Sequence, residues 1–524
     1  MKLRVYCVLF LAGLLLGILA AVWIRVPGYM DASYYYTTSM QLAQGKGFSE
    51  PYIWNYLGDP AGIPHPSHLY WMPLASIISS IPLRIGPPEF RTAQVVFVVL
   101  AALIPVLTCM IAYSLSGSSK TAKRAGFLAL APGFFLPNLV TTDNFTIYAL
   151  AGSIALWLMA ESANRTNAGM WAATGAVIGV CHLSRTDGLL FLIPAFVLLI
   201  RSQYRVRSLL GLLLGYLLVM APWWLRNLSV SGSLLGGASS GMLFMMDYNE
   251  LFRYPDDPLT VSAWIEAGFM KVAGIRLKAA WSNLMSLIAV NGLIILAPFI
   301  VLGGLHARNR KLVKAAVVYL VVLFGVMSFV FPQAGFRGGF FHSSAALLAV
   351  GWALASIGFE KMIDWGIQKR GWQQQRAVVL FGGVIVAVIF FLTGWNYYVK
   401  VIGKSGVQPV WQASAELYNE AGCFIRQHED EGIMAAVKDP PSFYAAAGIP
   451  AVVIPDGDLH TLQRVVERYA VRWIVLDNDH PDGLAALYDN PELTDWLQLY
   501  AHLLDGNEYD VYIFRVLEGE MNEP

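Results

Sequence analysis

The sequence is poor in charge. Asp, Glu, Lys and Arg supply 14% of its 524 residues, against about 25% in an ordinary soluble protein. Hydrophobic residues make up 56% and the mean hydropathy is +0.53, so polar groups are too few to cover a water-exposed surface. That excludes a string of soluble domains and a disordered chain. Cysteine is scarce too. Cys7, Cys109 and Cys181 lie in apolar runs and Cys423 stands alone near the C-terminal end. Without a CxxC or Cys/His spacing there is no disulfide framework or structural zinc site to expect. A solenoid repeat, a low-complexity segment and a basic patch in the C-terminal part are also missing. From Tyr397 onward there are 8 Lys/Arg and 21 Asp/Glu, which excludes nucleic acid as a partner of that part.

What is present is a basic, apolar segment followed by an acidic one. Residues 1–396 hold 28 Lys/Arg and 14 Asp/Glu. Apolar runs expected to span a bilayer lie at 5–24, 92–115, 124–141, 145–161, 169–184, 188–201, 208–225, 284–305, 313–331, 343–359 and 377–396, eleven in all. The first run is preceded by Lys2 and Arg4 and is longer than the h-region of a cleaved signal, about 7–15 residues. It reads as an anchor with a cytoplasmic N-terminus. Alternating sides from there puts Lys120/Lys123/Arg124, Arg201/Arg205/Arg207, Arg308/Arg310/Lys311 and Lys361/Lys369/Arg370 inside, the positive-inside pattern. The odd number of spans sends the acidic tail outside. Two long outer loops follow, 27–91 and 226–283, with interfacial stretches at 69–83 and 261–283. In the tail, 432–437, 451–455, 472–477 and 510–516 read as strands, and 411–428 and 459–470 as helices. The expected fold is a polytopic α-helical membrane protein, residues 1–396, with a soluble extracytoplasmic α/β domain, residues 397–524, in the plasma membrane.

On this topology Asp31, Asp143, Arg185, Asp187, Arg226, Arg337 and His342 all fall at outer helix ends. Charges near lipid are costly unless paired or wet, so a shared outer cavity is expected. Plainer roles exist for each. Asp31 and Asp143 each precede an apolar helix and could act as N-caps. Arg185 could snorkel or pair with Asp187, and His65, His68 and His342 could be interface histidines.

Four pieces, in order, carry a resemblance. They are Gly28-Tyr29-Met30-Asp31-Ala32-Ser33-Tyr34-Tyr35 with Gln41-Leu42-Ala43-Gln44-Gly45-Lys46-Gly47, then Pro64-His65-Pro66-Ser67-His68-Leu69-Tyr70-Trp71-Met72-Pro73-Leu74, then Thr142-Asp143-Asn144-Phe145, then Leu183-Ser184-Arg185-Thr186-Asp187-Gly188. Together they resemble GT-C glycosyltransferases over roughly residues 1–350, in particular the dolichyl-phosphate-mannose protein mannosyltransferases and the bacterial aminoarabinose transferases of lipid A. The resemblance implies that Asp31 is the catalytic base and Asp143 the second acidic residue, with Tyr35 of the same first loop in the substrate site. The family segment before the second span often reads Pro-Pro after a charged residue. Here it is Pro-His-Pro-Ser-His, so the basic phosphate ligand expected there is either a histidine, His65 or His68, or comes from elsewhere in the chain. The paired acidic residues of eukaryotic protein mannosyltransferases are reduced to Asp31 followed by Ala32, which argues against protein as the acceptor. Some relatives bind a divalent ion and others need none, so a metal stays open.

The chemistry implied is sugar transfer from a polyprenyl-phosphate donor to the hydroxyl of an unknown acceptor, a lipid, glycan or protein. Phosphate is a weak base and leaves without a general acid. Cations on it help, and Arg337, Arg226, Arg185 and His342 are candidates. The segment Gly335-Phe336-Arg337-Gly338-Gly339 is not a dinucleotide loop; its glycines would let backbone N–H groups approach phosphate, or it is a plain flexible turn. The rival readings are a transporter or lipid flippase, whose polar groups would sit near mid-membrane, and a non-catalytic anchor for the tail.

Overall fold

Long charge-free runs satisfy their backbone groups only as helices when water is absent, and a computed structural model of the chain is mostly helical. It describes residues 2–165, 167–200, 204–236, 241–256, 260–403, 409–429, 432–504 and 510–517. Seven helices among these are long and apolar enough to cross a membrane: Leu3–Trp23, Phe90–Ser116, Phe145–Arg165, Arg205–Ser231, Lys311–Val330, Pro332–Arg370 and Gln374–Ile402. Other expected spans fall on shorter helices, Ala168–Ser184, Thr186–Leu199 and Ala297–His306.

Two expected spans are not single rods. Residues 124–141 divide into Ser119–Leu128, a tight turn Gly133–Phe135 and Leu136–Leu139. Pro132 and Pro137 are the local reason, because proline lacks the N–H that a continuing helix needs. The expected break between 283 and 284 is absent. The helix Phe269–Met285 runs past it, widens over Ser286–Asn291, and the chain turns before Ala297–His306. Stretch 69–83 holds only the ten-residue helix Leu74–Leu83, with Pro82 inside it.

A tight crossing is made by Ala168–Ser184 and Arg205–Ser231. A Cβ on Gly175 would lie 1.9 Å from the Leu212 carbonyl oxygen, and one on Gly215 would lie 1.9 Å from that of Ala172. Gly175-x-x-x-Gly179 faces Gly211-x-x-x-Gly215, the small-residue spacing that lets helix backbones touch in lipid.

The C-terminal part is a sheet flanked by helices, but it is not built from the tail alone. Among the described residues the strands are β1 (Ser49–Glu50), β2 (Tyr52–Ile53), β3 (His65–Pro66), β4 (Ala435–Val437), β5 (Ala451–Val453), β6 (Trp473–Leu476), β7 (Leu497–Leu504) and β8 (Asp510–Val516). The six-stranded sheet has the order β2-β5-β4-β6-β8-β7, so β2 of the first long loop forms one edge, parallel to β5. The Tyr469 hydroxyl donates to the Pro60 carbonyl at 2.8 Å and that of Tyr56 to the Val453 carbonyl. On the other side, the helix Pro440–Ala447 lies against Met30–Ala43, with Ser442 Oγ donating to Ser33 Oγ at 2.9 Å. The sheet is thereby fixed to the loop that carries Asp31. Strand β7 pairs antiparallel with β8 and was not among the expected strands. Its sequence LQLYAHLL alternates only in part, with a register shift between Leu499 and Ala501.

Candidate active site

Asp31 enters the site because the chain before it turns sharply. Gly28 has φ +95°, and a Cβ there would sit 2.0 Å from Nε1 of Trp411, so only glycine serves. Trp411 donates to the Val26 carbonyl at 3.1 Å and meets the Tyr29 ring edge-on at 5.7 Å. The helix Met30–Ala43 then begins, with Asp31 in its first turn. Tyr29 holds the cap position, so Asp31 does not cap this helix. The helix dipole still favours a negative charge there.

Asp143 is brought up by a turn sewn to the same loop. Thr141 Oγ1 donates to the Pro27 carbonyl at 3.1 Å, Thr142 Oγ1 to the Ala32 carbonyl at 2.8 Å and Asn144 Nδ2 to the Tyr35 hydroxyl at 3.1 Å. Asp143 itself accepts from the Tyr29 hydroxyl at 2.6 Å and from its neighbour's backbone N–H at 2.5 Å. His342, on Phe340–Ser344, stacks on Phe145 with ring centres 3.9 Å apart. Its Nε2 lies 3.2 Å from Asp143 Oδ2 and 3.8 Å from Asp31 Oδ2. Three segments more than a hundred residues apart thus place two carboxylates and an imidazole with ligand atoms within 4.8 Å of one another.

The two carboxylates differ. The Asp31 side chain is 30% exposed and that of Asp143 0%, so only Asp31 is reachable by a substrate. Surrounding protein and then the Asp143 charge push the Asp31 carboxyl up to about 6, with His342 and Arg185 opposing. Burial would also raise Asp143, but His342 and the bonds from Tyr29 and Asn144 outweigh it and hold that carboxyl below its ordinary value. Asp143 is therefore a fixed anion, and Asp31 can accept a proton.

The His342 ring has a definite orientation. Nδ1 lies 3.0 Å from the Gly338 carbonyl, which can only accept, so Nδ1–H donates. Nε2 then faces both carboxylates, and a cation placed between them would satisfy all three groups. A histidine held by a backbone carbonyl and converging with two carboxylates suits a divalent cation.

The other expected site residues lie in different surroundings. Arg185 Nε and NH2 both donate to Asp187 at 3.1 Å, and Nε also reaches Ser343 Oγ at 3.1 Å. Its charge is felt at Asp31, while its Nε and NH2 are engaged by Asp187. Arg337 is exposed and lies 5.2 Å over the Tyr248 ring, and Tyr248 is near enough to feel the Asp31 charge. Tyr35 is buried and accepts from Asn144. Arg226 NH2 donates to the Ser67 carbonyl at 2.7 Å and its guanidinium lies over Trp223. With His65 it lines a cavity of about 350 Å³ beside Phe48 and Val230. His65 pairs with Glu50 at 3.0 Å. His68 is buried, and burial and then Arg226 lower its pKa to about 3, so it stays neutral.

Several contributors were not anticipated. Tyr29 and Asn144 hold Asp143, and both stand inside the quoted motifs. Lys400 reaches the Phe341 ring at 6.0 Å and Lys278 the Phe336 ring at 4.7 Å, adding positive charge beside His342 and Arg337. The signal for Lys400 was a lone basic residue just after the last apolar run.

No family model matches the sequence, and no curated protein matches it. Solved structures do match. The oligosaccharyltransferase of Archaeoglobus fulgidus in the apo form superposes with TM-score 0.59 at 13% identity, over 98% of this chain and 75% of that one. Its complex with an inhibitory peptide and a dolichol-phosphate gives 0.58, at 13% identity and over the same shares. ArnT from Cupriavidus metallidurans bound to undecaprenyl phosphate gives 0.57 at 14% identity, over 100% of both chains. These neighbours are GT-C proteins, and the likeness is one of fold.

Proposed function

We propose that this chain, which shares the GT-C fold, is a membrane glycosyltransferase that moves a sugar from a polyprenyl-phosphate donor to an acceptor hydroxyl on the extracytoplasmic side of the membrane. The observation that carries the reading is the meeting of Asp31, Asp143 and His342 within 4.8 Å, where only Asp31 is open to a substrate. The acceptor O–H gives its proton to Asp31 as its oxygen bonds to the anomeric carbon. The bond from that carbon to the phosphate oxygen breaks, and the phosphate leaves with the electron pair. Asp143 stays ionised and holds His342 and Tyr29. Arg337, free of any carboxylate within ion-pair distance among the described residues, is the best placed guanidinium for the leaving phosphate, with Lys278 and Lys400 nearby. Arg226 and His65 offer a second cationic surface at their own cavity.

Asp31, Asp143 and His342 would also hold a divalent cation, since the ring tautomer fixed by Gly338 aims Nε2 at the carboxylates. When bound, such an ion would supply positive charge for the leaving phosphate.

A single displacement inverts the anomeric centre. Product NMR after transfer from a labelled polyprenyl-phosphate sugar should show inversion, and retention would count against direct attack. Arg337→Ala should lower turnover on the order of 10²-fold, the size expected when one preorganised charge on a leaving group is lost. It should leave the expression level intact, because the side chain is exposed. Unchanged turnover would remove Arg337 from the phosphate site.

A further inference from the structure

An apolar feature lies away from Asp31, between the helices Leu3–Trp23 and Phe90–Ala101. The two form an elongated groove of about 480 Å³, lined almost wholly by apolar atoms. Leu14, Ile18 and Val22 form one wall and Val95 and Val99 the other. Ile18 and Val22 are 49% exposed, Val95 57% and Val99 40%, so the walls face outward from the protein. From Leu14 to Val22 the groove runs roughly 12 Å, at 1.5 Å per residue. Its floor is closed by a buried cluster that includes Ala21, Ile24, Phe90, Val98 and Val140. None of its lining residues belongs to the Asp31–Asp143–His342 cluster.

One end of this apolar groove is cationic. Arg25, just past the end of the first helix, and Arg91, in the first turn of the second, both line it. Arg91 ties the helices together by donating to the Val22 carbonyl at 2.9 Å, to the Ala21 carbonyl and to Gln94 Oε1 at 3.1 Å. Gln94 Nε2 in turn donates to the Ile24 carbonyl at 3.1 Å. Among the described residues no carboxylate lies within ion-pair distance of either arginine. Arg25 is exposed. A helix of 21 residues is about 31 Å long, so its end, and Arg25 with it, reaches the headgroup layer of a bilayer whose hydrocarbon core is about 30 Å thick.

We propose that this groove binds one anionic glycerophospholipid, with its phosphate between Arg25 and Arg91 and one acyl chain along Leu14–Val22. The charge complementarity is specific: two guanidiniums with no carboxylate in ion-pair contact, Glu89 acting on Arg91 only from farther off, sit at phosphate depth above a strip that accepts a hydrocarbon chain. The closed floor argues against the reacting polyprenyl lipid, whose phosphate has to reach Asp31. The bound lipid would fasten the end of the first helix, and with it the Gly28–Asp31 turn that follows.

The test is native mass spectrometry of the delipidated full chain, titrated with phosphatidylglycerol, phosphatidylcholine and undecaprenyl phosphate. Wild type should retain its tightest phosphatidylglycerol about tenfold better than phosphatidylcholine, whose choline cation would face two arginines. Arg25→Gln should bring the two lipids near parity. Ile18→Trp, which fills the groove and keeps both arginines, should weaken retention of phosphatidylglycerol to a similar extent. Equal retention of the two phospholipids by wild type would overturn the proposal, as would phosphatidylglycerol retention unchanged in the variants, or tighter binding of undecaprenyl phosphate that Ile18→Trp abolishes. If Arg25→Gln yields no monodisperse protein, Ile18→Trp decides alone.

Discussion

Asp31→Asn should reduce transfer from a polyprenyl-phosphate sugar by about 10²–10⁴-fold, the range a positioned general base supplies. The amide keeps the size and planarity of the carboxylate but cannot take the acceptor proton. Because the side chain is partly open and caps no helix, the variant should solubilise and purify like wild type. The loss should fall on kcat and on kcat/KM alike, since proton transfer belongs to the transition state and not to donor binding. A change confined to KM would remove the base role and leave Asp31 as a binding residue. Asp143→Asn should not mimic it. Asp143 is fully buried and accepts from Tyr29 and Asn144 while facing His342, so its loss should also disturb the placement of the first loop.

Gly175→Leu should cost most of the folded yield. A side chain there would meet the Leu212 carbonyl at 1.9 Å and the Tyr216 N–H at 2.9 Å, backbone atoms that no rotamer change can move. Overpacking typically costs about 1–3 kcal/mol, and more where backbone must shift. Here the helix Arg205–Ser231 would have to move, and with it Arg226 and the cavity it lines. The matched control is Gly383→Leu in the helix Gln374–Tyr397, where an added Cβ meets nothing within 4 Å. Size-exclusion profiles and thermal unfolding in detergent should show Gly383→Leu near wild type and Gly175→Leu largely aggregated. Equal behaviour of the two would mean that the Ala168–Ser184 and Arg205–Ser231 crossing does not hold the bundle together.

Much of the helical part was legible because its signal is local. Runs such as 5–24, 208–225 and 377–396 declare themselves by the absence of charge, and the structure has long apolar helices there. Breaks were less legible. The turn at Pro132–Gly133 interrupts a stretch whose hydropathy alone reads as continuous, and the helix Phe269–Met285 crosses a boundary drawn at 283/284. The GxxxG pair at 175/179 and 211/215 stands in the sequence, but glycine spacing has meaning only once two helices are known to touch. Strands β4, β5, β6 and β8 followed from their β-branched runs. The edge strand β2 did not, because two residues carry no periodicity and its partner is some four hundred residues away.

Composition alone fixes the solvent. With 14% charge and apolar runs of twenty residues, the chain must satisfy its backbone in helices and bury them in lipid. It also determined which side chains were candidates, Asp31 and Asp143 among them, since polar groups at helix ends stand out from an apolar background. Which of them meet follows from the packing of whole elements. The pairing of Asp31 with Asp143 depends on Thr141 and Thr142 reaching the carbonyls of Pro27 and Ala32, and the entry of His342 depends on its stack against Phe145. The same packing turned Arg185 toward Asp187, His68 into an uncharged core ring and Arg226 toward a separate cavity. Contacts across more than a hundred residues are fixed by how whole elements pack, and no spacing along the chain records them.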